Sequence, residues 1–490
     1  MKRATTPMQG LCAAQSNVDA SGPWATVAED RTGPTSPLLF RSTFPQGNPC
    51  LPGVRAPIHP FLFAAHRTPA KIQAFLGFFH RGRLTAAIFL NGFGFSTAMT
   101  KKAAQGAATF PVALLCDPGC ENIIALEAKE LLGKTAASGA LGSGYVTVAD
   151  CSVKDAATLI YRSQSALRVL ALVSKGRISS PNDLLEKKKE LLDFDYSPFL
   201  PDGGSFRVTC DRLGDQEWRS HEVEEALGAL LHEEKRWPVD LKKPALTLFC
   251  QSVDDTYVLG IDLCGRDLAK REYKAFHTRR SLRSTVAYAA IRAAGYTGKE
   301  VLLDPFMTDG GIVIEAALYA TKMSPHRFRK EFAFTVMPIA DREDWNAFFT
   351  ALDGKIGNES KVAGYSAMVR TLQMARANAK LAGVEKSTVT SKCEVSWLDT
   401  KLDEASVNLI VTVPPTSGKN TPLKDVEKLQ DDLFYQAKYV LKKDGTVLLI
   451  SEKKAEFLNA ATRHKFSLKD EKEIHMGGTT LKFLVFGKEV

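Results

Sequence analysis

The stretch that constrains this chain most is Val301-Leu302-Leu303-Asp304-Pro305-Phe306-Met307-Thr308-Asp309-Gly310-Gly311, which runs into the helical pattern Ile312-Val313-Ile314-Glu315-Ala316-Ala317-Leu318. A buried apolar strand ending in an acid, then a glycine-containing turn, then a helix N-terminus, is how a doubly wound α/β domain builds a pocket for a nucleotide-like cofactor. Further along, Leu409-Ile410-Val411-Thr412-Val413-Pro414-Pro415-Thr416 is a β-branched strand that stops at two prolines. Proline has no N–H for the ladder, so the chain must turn outward there. Two strand ends that open on the same edge of a parallel sheet define one crevice.

The rest of the carboxyl-terminal half repeats strand, turn and helix. Strands are expected at Val301–Asp304, Lys361–Tyr365, Thr388–Glu394, Val407–Val413 and Thr446–Ser451, with an antiparallel pair near Phe466–Ile474 and Leu481–Phe486. Helices are expected at Ile312–Thr321, Ala367–Leu381, Val426–Leu441 and Ala455–Arg463. Parallel strands joined by crossover helices give an α/β sheet. An insertion between Lys330 and Asn358, with Trp345, Phe348 and Phe349, is expected to be helical.

Order begins at Phe110–Cys116, a strand-like run followed by a helix whose Ile124, Ala128, Leu131 and Leu132 recur at helical spacing. A strand at Tyr145–Ala149, a helix at Lys154–Arg162 and a strand at Leu167–Val173 complete a small α+β unit. After a charged helix at Asn182–Leu192, a second unit is expected from Ser205–Cys210, helix Ser220–His232, and strands Ala245–Cys250 and Thr256–Asp262. Arg271 to Gly295 then reads as a connector ending in a helix, Leu282–Ala294. With Lys270 before it, this stretch carries Arg271, Lys274, Arg279, Arg280, Arg283 and Arg292. Such a run is either a solvated face or a phosphate-contacting patch.

At 490 residues the chain is too long for a single core and implies two or three domains. Its net charge of +9 is uneven: residues 1 to 100 hold nine Lys or Arg and three acids, so the remainder is nearly balanced. A phosphate-binding surface on the folded body must therefore be a local patch. Residues 1–108, rich in Pro, Gly, Ser and Thr, read as a low-complexity, disordered extension; a transit segment, or a true start at Met99, are the other readings. No apolar run is long enough to span a membrane, Leu84–Leu90 being cut off by Asn91 and Gly92. The nine cysteines are scattered through apolar runs, which suits buried thiols in a reducing compartment. Cys116 and Cys120 have no answering pair at zinc spacing, so no metal is expected.

Asp304-Pro305-Phe306, the upstream Asp267-Leu268-Ala269-Lys270-Arg271-Glu272-Tyr273 and the Pro414-Pro415 turn resemble the THUMP-domain RNA methyltransferases that modify guanine N2 in tRNA. The resemblance covers residues 109 to 490. It implies a ferredoxin-like domain at 109–200, a THUMP-like RNA-binding domain at 201–266, a basic connector at 267–298 and a class I (Rossmann-like) methyltransferase domain at 299–490. It also implies S-adenosyl-L-methionine (SAM) as cofactor, RNA, in particular tRNA, as partner, a monomer, and a cytoplasmic setting without membrane or metal.

By the same resemblance, Asp304, Pro305, Phe306, Asp309, Gly310, Ser366 and Glu394 would surround the cofactor. Val413, Pro414, Pro415 and Thr416 would form the catalytic turn beside the base, and Lys270, Arg271, Arg279, Arg280 and Arg283 would contact RNA. The family's first turn usually reads Asp-Pro-Phe-Cys-Gly-Ser-Gly-Thr, so Thr308 stands in a glycine's place, and Asp309 doubles as a helix N-cap. Ser366 replaces the acid that binds ribose, and Glu394 replaces an Asp at the adenine amino group. The second turn usually reads Asn-Pro-Pro-Tyr, where the first side chain orients the guanine amino group and the ring stacks on a flipped base. Val413 cannot accept that hydrogen bond and Thr416 has no ring; one lost acceptor is worth about 3 kcal/mol of barrier. The expected function is SAM-dependent methylation of RNA, with a catalytically degenerate RNA-binding descendant as the alternative.

Overall fold

A computed structural model describes residues 109–489 apart from Ala140, Asn358 and Asn420; the expected extension, 1–108, lies outside the described residues. Two seven-stranded sheets organise them. The first part runs β1 (Phe110–Leu115), α1 (Glu121–Leu132), β2 (Ala136–Ser138), β3 (Tyr145–Cys151), α2 (Val153–Arg162) and β4 (Arg168–Arg177). Two short helices follow, α3 (Pro181–Glu186) and α4 (Lys188–Asp193), then β5 (Phe206–Leu213), α5 (Ser220–Lys235), β6 (Leu246–Val253) and β7 (Thr256–Asp262).

The sheet order β2-β3-β1-β4-β7-β6-β5 joins the two expected amino-terminal units edge to edge. The seam is the antiparallel β4–β7 pairing, which runs from Leu170 opposite Asp262 to Arg177 opposite Thr256. Sharing a ladder removes two sheet edges that would otherwise stay unpaired. The single helix expected at Asn182–Leu192 is instead broken at Lys187, whose N–H bonds the Leu184 carbonyl at 3.1 Å and tightens the turn.

The second part runs α6 (Ser284–Ala293), β8 (Leu302–Asp304), α7 (Gly311–Thr321), α8 (Trp345–Asp353), β9 (Val362–Ser366), α9 (Val369–Ala382) and β10 (Thr388–Lys392). It ends with β11 (Val407–Thr412), α10 (Leu423–Val440), β12 (Leu441–Ser451), α11 (Ala455–Arg463), β13 (Phe466–Met476) and β14 (Thr479–Lys488). The order β10-β9-β8-β11-β12-β14-β13 is parallel as far as β12 and antiparallel across the terminal hairpin, as the strand–helix alternation predicts. The insertion is only partly helical: two 3-10 turns, Ala333–Val336 and Pro338–Ala340, precede α8. Its Trp345 and Phe349 are buried, and Phe349 stacks 4.5 Å from Tyr161 of α2.

The stretch expected to be a basic connector is a core element. Val286 to Ile291 of α6 are fully buried, and the helix packs against both α1 and α7. Burying an isoleucine such as Ile291 is worth roughly 2 kcal/mol, so α6 fastens the two halves together. A buried polar network does the same. Glu315 of α7 accepts from Arg271 Nε (3.1 Å), Tyr273 Oη (2.6 Å) and Gln164 Nε2 (2.6 Å), while Glu127 of α1 accepts from the Gln164 and Ser165 amides. At the other end of the seam, the His475 amide of β13 donates to the Pro118 carbonyl at 2.9 Å. Gly119, at φ +94°, sits so close to this hairpin that a Cβ would lie 2.2 Å from the Glu473 carbonyl oxygen. Only glycine meets both demands.

Candidate functional site

Four parallel strands, β10, β9, β8 and β11, end on one rim of the second sheet. Leu409 and Ile410 pair with Leu302 and Leu303, Asp304 pairs with Gly364, and Ser366 pairs with Lys392. Glu394, Ser366, Asp304 and the Val413–Thr416 turn therefore follow one another along a single edge. The strand order reverses direction at β8, so Asp304 stands at the topological switch point, where open α/β sheets place their ligands.

Asp304 is buried, and both of its hydrogen bonds fall on Oδ1: Thr412 Oγ1 donates at 2.6 Å and the Phe306 amide at 3.2 Å. Burial pushes its pKa up to about 7, against the pull of the Thr412 and Phe306 hydrogen bonds and the Arg280 charge. Pro305 is buried behind it, and Phe306 packs partly buried against the core between β8, β11 and α10. Gly310 adopts φ +83° and lies against α9, where a Cβ would come 3.0 Å from that of Ala375.

Asp309 is only 2 % exposed, and its two carboxylate oxygens differ. Oδ1 accepts from the Gly311 amide at 3.2 Å and from Thr308 Oγ1 at 3.3 Å. The N-cap position of α7 falls on Gly310, which no side chain caps, so Asp309 is not the helix N-cap the sequence suggested; it sits one residue earlier and bonds the first helical amide. Oδ2 has no hydrogen-bond partner, although Lys274 Nζ lies 3.3 Å away. The Lys274 ammonium is thus ion-paired with Asp309 and also donates to the Leu282 carbonyl. The loop itself is pinned by Asn378 of α9, whose amide donates to the carbonyls of Asp309 (2.9 Å) and Phe276 (2.8 Å).

Further along the rim, Ser366 is buried with its hydroxyl 2.6 Å from that of Thr371, so its one strong partner is already local. Glu394 is exposed, as are Met368 and Trp397 beside it. On the other side, Pro414 is buried while Val413, Pro415 and Thr416 are partly exposed. The turn is clamped through Ser417, which donates its hydroxyl and amide to Glu456 and accepts from Lys453. Arg280 reaches across from the loop before α6 and donates to the Val413 carbonyl. With Arg280 in place, the space bounded by Asp304, Thr308, Asp309, Gly311 and Val413 is about 10 Å³, room for no more than about one water.

The basic residues separate into two groups. Lys270 and Arg279 are exposed, and Lys270 and Arg283 line a cavity of about 520 Å³ with Arg168, Arg212 and Asp267 where the first sheet meets the terminal hairpin. Arg283 is also ion-paired with the buried Asp117. Arg271 must be withdrawn as an RNA contact: its side chain is 0 % exposed and paired with Glu315 at 3.1 Å, beyond the reach of any phosphate. Nothing in the sequence singles out Lys274, Thr412, Ser417 or Glu456. Asn378, within the helix Ala367–Leu381, had a readable signal as a polar residue on an otherwise apolar helix face.

The residues at this end of the rim suit a SAM-type ligand: the buried carboxylate of Asp304 with Oδ2 free of hydrogen bonds, and a turn at Gly310 whose φ of +83° favours glycine. Two family models match the chain, a THUMP domain over residues 182–262 and the UPF0020 RMKL-like methyltransferase domain over residues 271–482. The chain is 26 % identical over 330 residues to the tRNA (guanine(6)-N2)-methyltransferase of Methanocaldococcus jannaschii, covering 65 % of this chain and 84 % of that protein. It is 30 % identical over 182 residues to the ribosomal RNA large subunit methyltransferase K/L of Vibrio parahaemolyticus, covering 36 % of this chain and only 26 % of that protein. Its fold is similar to that of SMU.472 complexed with SAH, with a TM-score of 0.63, 18 % identity, and coverage of 78 % of this chain and 99 % of that one.

Proposed function

From a chain that carries a THUMP domain followed by an RMKL-like methyltransferase domain, we propose SAM-dependent methylation of RNA, at guanine N2 of a tRNA. The observation that carries this reading is the shared rim: Asp304, Ser366, Glu394 and the Pro414-Pro415 turn at the ends of four adjacent parallel strands. The relatives' printed activities support RNA as substrate, and the tRNA (guanine(6)-N2)-methyltransferase of Methanocaldococcus jannaschii, 84 % of whose length is covered, supports guanine in tRNA.

SAM supplies a methyl group on a sulfonium, which an amine nitrogen can take. The chain's own residues bind and orient. Asp304, with Oδ2 free of hydrogen bonds, and the Asp309–Gly310 turn would hold the methionine end, with Pro305 and Phe306 as their support. Ser366 and Glu394 would take the ribose and adenine end. The Val413–Thr416 turn, fixed through Glu456, would present its main-chain carbonyls to the base amino group, a role the Val413 side chain cannot fill. Lys270, Arg279, Arg280 and Arg283 would meet phosphate.

In the same reading the chain divides into a ferredoxin-like part (109–200), a THUMP-like part (201–266), a linking segment (267–298) and the methyltransferase part (299–490), and works as a monomer. A cytoplasmic setting is supported by the described cysteines, all free and buried. Among the described residues no helix is long and apolar enough to cross a membrane.

The test is to incubate the full chain with radiolabelled SAM and, separately, unmodified tRNA and large-subunit rRNA transcripts, then digest to nucleosides. Label in N2-methylguanosine from tRNA is the expected result. Label only in rRNA would overturn the tRNA assignment. RNA binding without SAH retention or transfer would overturn the enzyme itself and leave the degenerate RNA-binding descendant.

A further inference from the structure

A cavity of about 480 Å³ lies where α1 and α2 of the first half meet α6, α7 and α8 of the second, a volume in the range of small-molecule sites. It is separate from the strand-end rim. Thr297 and Lys299 enter it just ahead of β8, and Lys322 enters it just past the far end of α7. The eleven residues of α7 therefore put about 16 Å between this cavity and the Gly310–Gly311 turn.

Its charge is unbalanced. Arg162, Lys299, Lys322 and Lys355 line it against two carboxylates, Glu127 and Glu130. Both acids are committed elsewhere: Glu127 accepts from the Ser163 hydroxyl and from the Gln164 and Ser165 amides, and Glu130 is ion-paired with Arg292 at 2.6 Å. Asp353, the other carboxylate near Arg162, accepts from Tyr161 and pairs with Lys330. The three lysines are exposed, whereas Arg162 is partly buried, and that burial pulls its pKa down. Among the described residues its side chain makes one hydrogen bond, a 3.4 Å contact from Nη1 to the Leu352 carbonyl. A guanidinium has five N–H donors, so most of them are left for a ligand, and an anion placed there would reverse the effect of burial. The remaining wall is apolar, formed by Leu131, Leu318, Met323 and Leu352 with the ring of Tyr319 among them.

Such a cavity suits a ligand with an apolar body and a head that carries more than one negative charge. A carboxylate brings a single charge, whereas a phosphoryl group brings about two charges and three acceptor oxygens. We propose that this cavity is a second ligand site that takes a free nucleoside phosphate, its phosphoryl oxygens accepting from Arg162 and the three lysines and its base lying on the Tyr319 side. A free nucleotide fits better than the backbone of a bound RNA because the guanidinium is withdrawn from the surface that the lysines share with solvent. The site uses none of the residues assigned to SAM or to the base.

The full chain is titrated by calorimetry with GDP and CDP, and with guanosine and cytidine as counterparts without phosphate, while hydrogen–deuterium exchange locates the binding. Both diphosphates are expected to bind about tenfold or more tightly than the nucleosides and to protect residues 297–299 and 318–323. K299A/K355A and R162M are each expected to weaken the diphosphates by about tenfold. Protection confined to the cavity beside Lys270 or to the strand-end rim would overturn the proposal, as would affinity unchanged in both variants or no binding of either diphosphate. Unmodified tRNA forms a further arm: if it protects these segments and the diphosphates do not, the occupant is the RNA backbone and the proposal falls. Thermal melts identify a variant that has lost its fold; because Lys299 and Lys355 are exposed, K299A/K355A decides the matter even if R162M unfolds.

Discussion

Arg280 and Val413, far apart in the chain, are joined by a hydrogen bond from the guanidinium to the main-chain carbonyl. The arginine comes from the loop ahead of α6 and the carbonyl from the residue after β11, so the bond spans the mouth of the crevice at the strand ends.

Because that bond closes the space to about 10 Å³, a ligand must displace it. A net hydrogen bond is worth about 1 kcal/mol, so R280A is expected to bind SAH about fivefold more tightly than wild type by calorimetry. Unchanged or weaker binding would mean that Arg280 does not obstruct the site.

Asp304 gives a pH signature. Its pKa is raised by burial to about 7, above the ordinary carboxylate range, so between about pH 4 and 7 the folded protein holds a proton that the unfolded chain has released. Unfolding then releases a proton, and stability falls as pH rises through this window, by an amount on the order of a few kcal/mol. D304N is expected to flatten that part of the stability–pH curve measured by urea denaturation. A parallel curve for D304N would remove Asp304 as its source.

The buried pair Arg271–Glu315 predicts an asymmetry. R271M leaves the Glu315 charge with only Tyr273 and Gln164 as donors and should cost roughly 3–5 kcal/mol. R271M/E315Q removes the stranded charge and should be less destabilised than R271M alone. The midpoints of denaturant unfolding at constant slope check this; equal midpoints would show that the charge is not what the arginine compensates.

At the Val413–Thr416 turn, V413N supplies a side-chain acceptor and T416Y an aromatic ring. The backbone there is already fixed, Pro414 buried and Ser417 clamped to Glu456. The double variant should therefore raise methyl transfer to tRNA, by an amount on the order of a hundredfold if the acceptor orients the amino group. No gain in a transfer assay would mean that the turn does not meet the base in this way.

Much of the carboxyl-terminal fold was legible because its signals are local. The run Val301–Asp304 must be a buried strand, Gly310 must free the chain to enter α7, and Pro414-Pro415 must end β11; each follows from a few adjacent residues. The parallel order and the terminal hairpin followed from strand–helix alternation. Less was legible where the outcome depends on what lies opposite. The two amino-terminal units read as separate, yet β4 and β7 pair across them, because a strand's sequence does not record which edge it will meet. The break at Lys187 was likewise invisible in a continuous charged pattern.

The site divides along the same line. The amino-acid order alone determined that Asp304, the glycine turn and the double proline would stand at strand ends, since strand termination is a property of the residues themselves. Only the folded chain decided what each charge does. Arg271 became a buried strut on Glu315, Arg280 a bar across Val413, and Lys274 a neighbour of Asp309, although all three read alike in a basic run. The physical reason is that a charge's energy is set by its solvent exposure and by partners within a few ångströms, and here those partners come from distant positions in the chain.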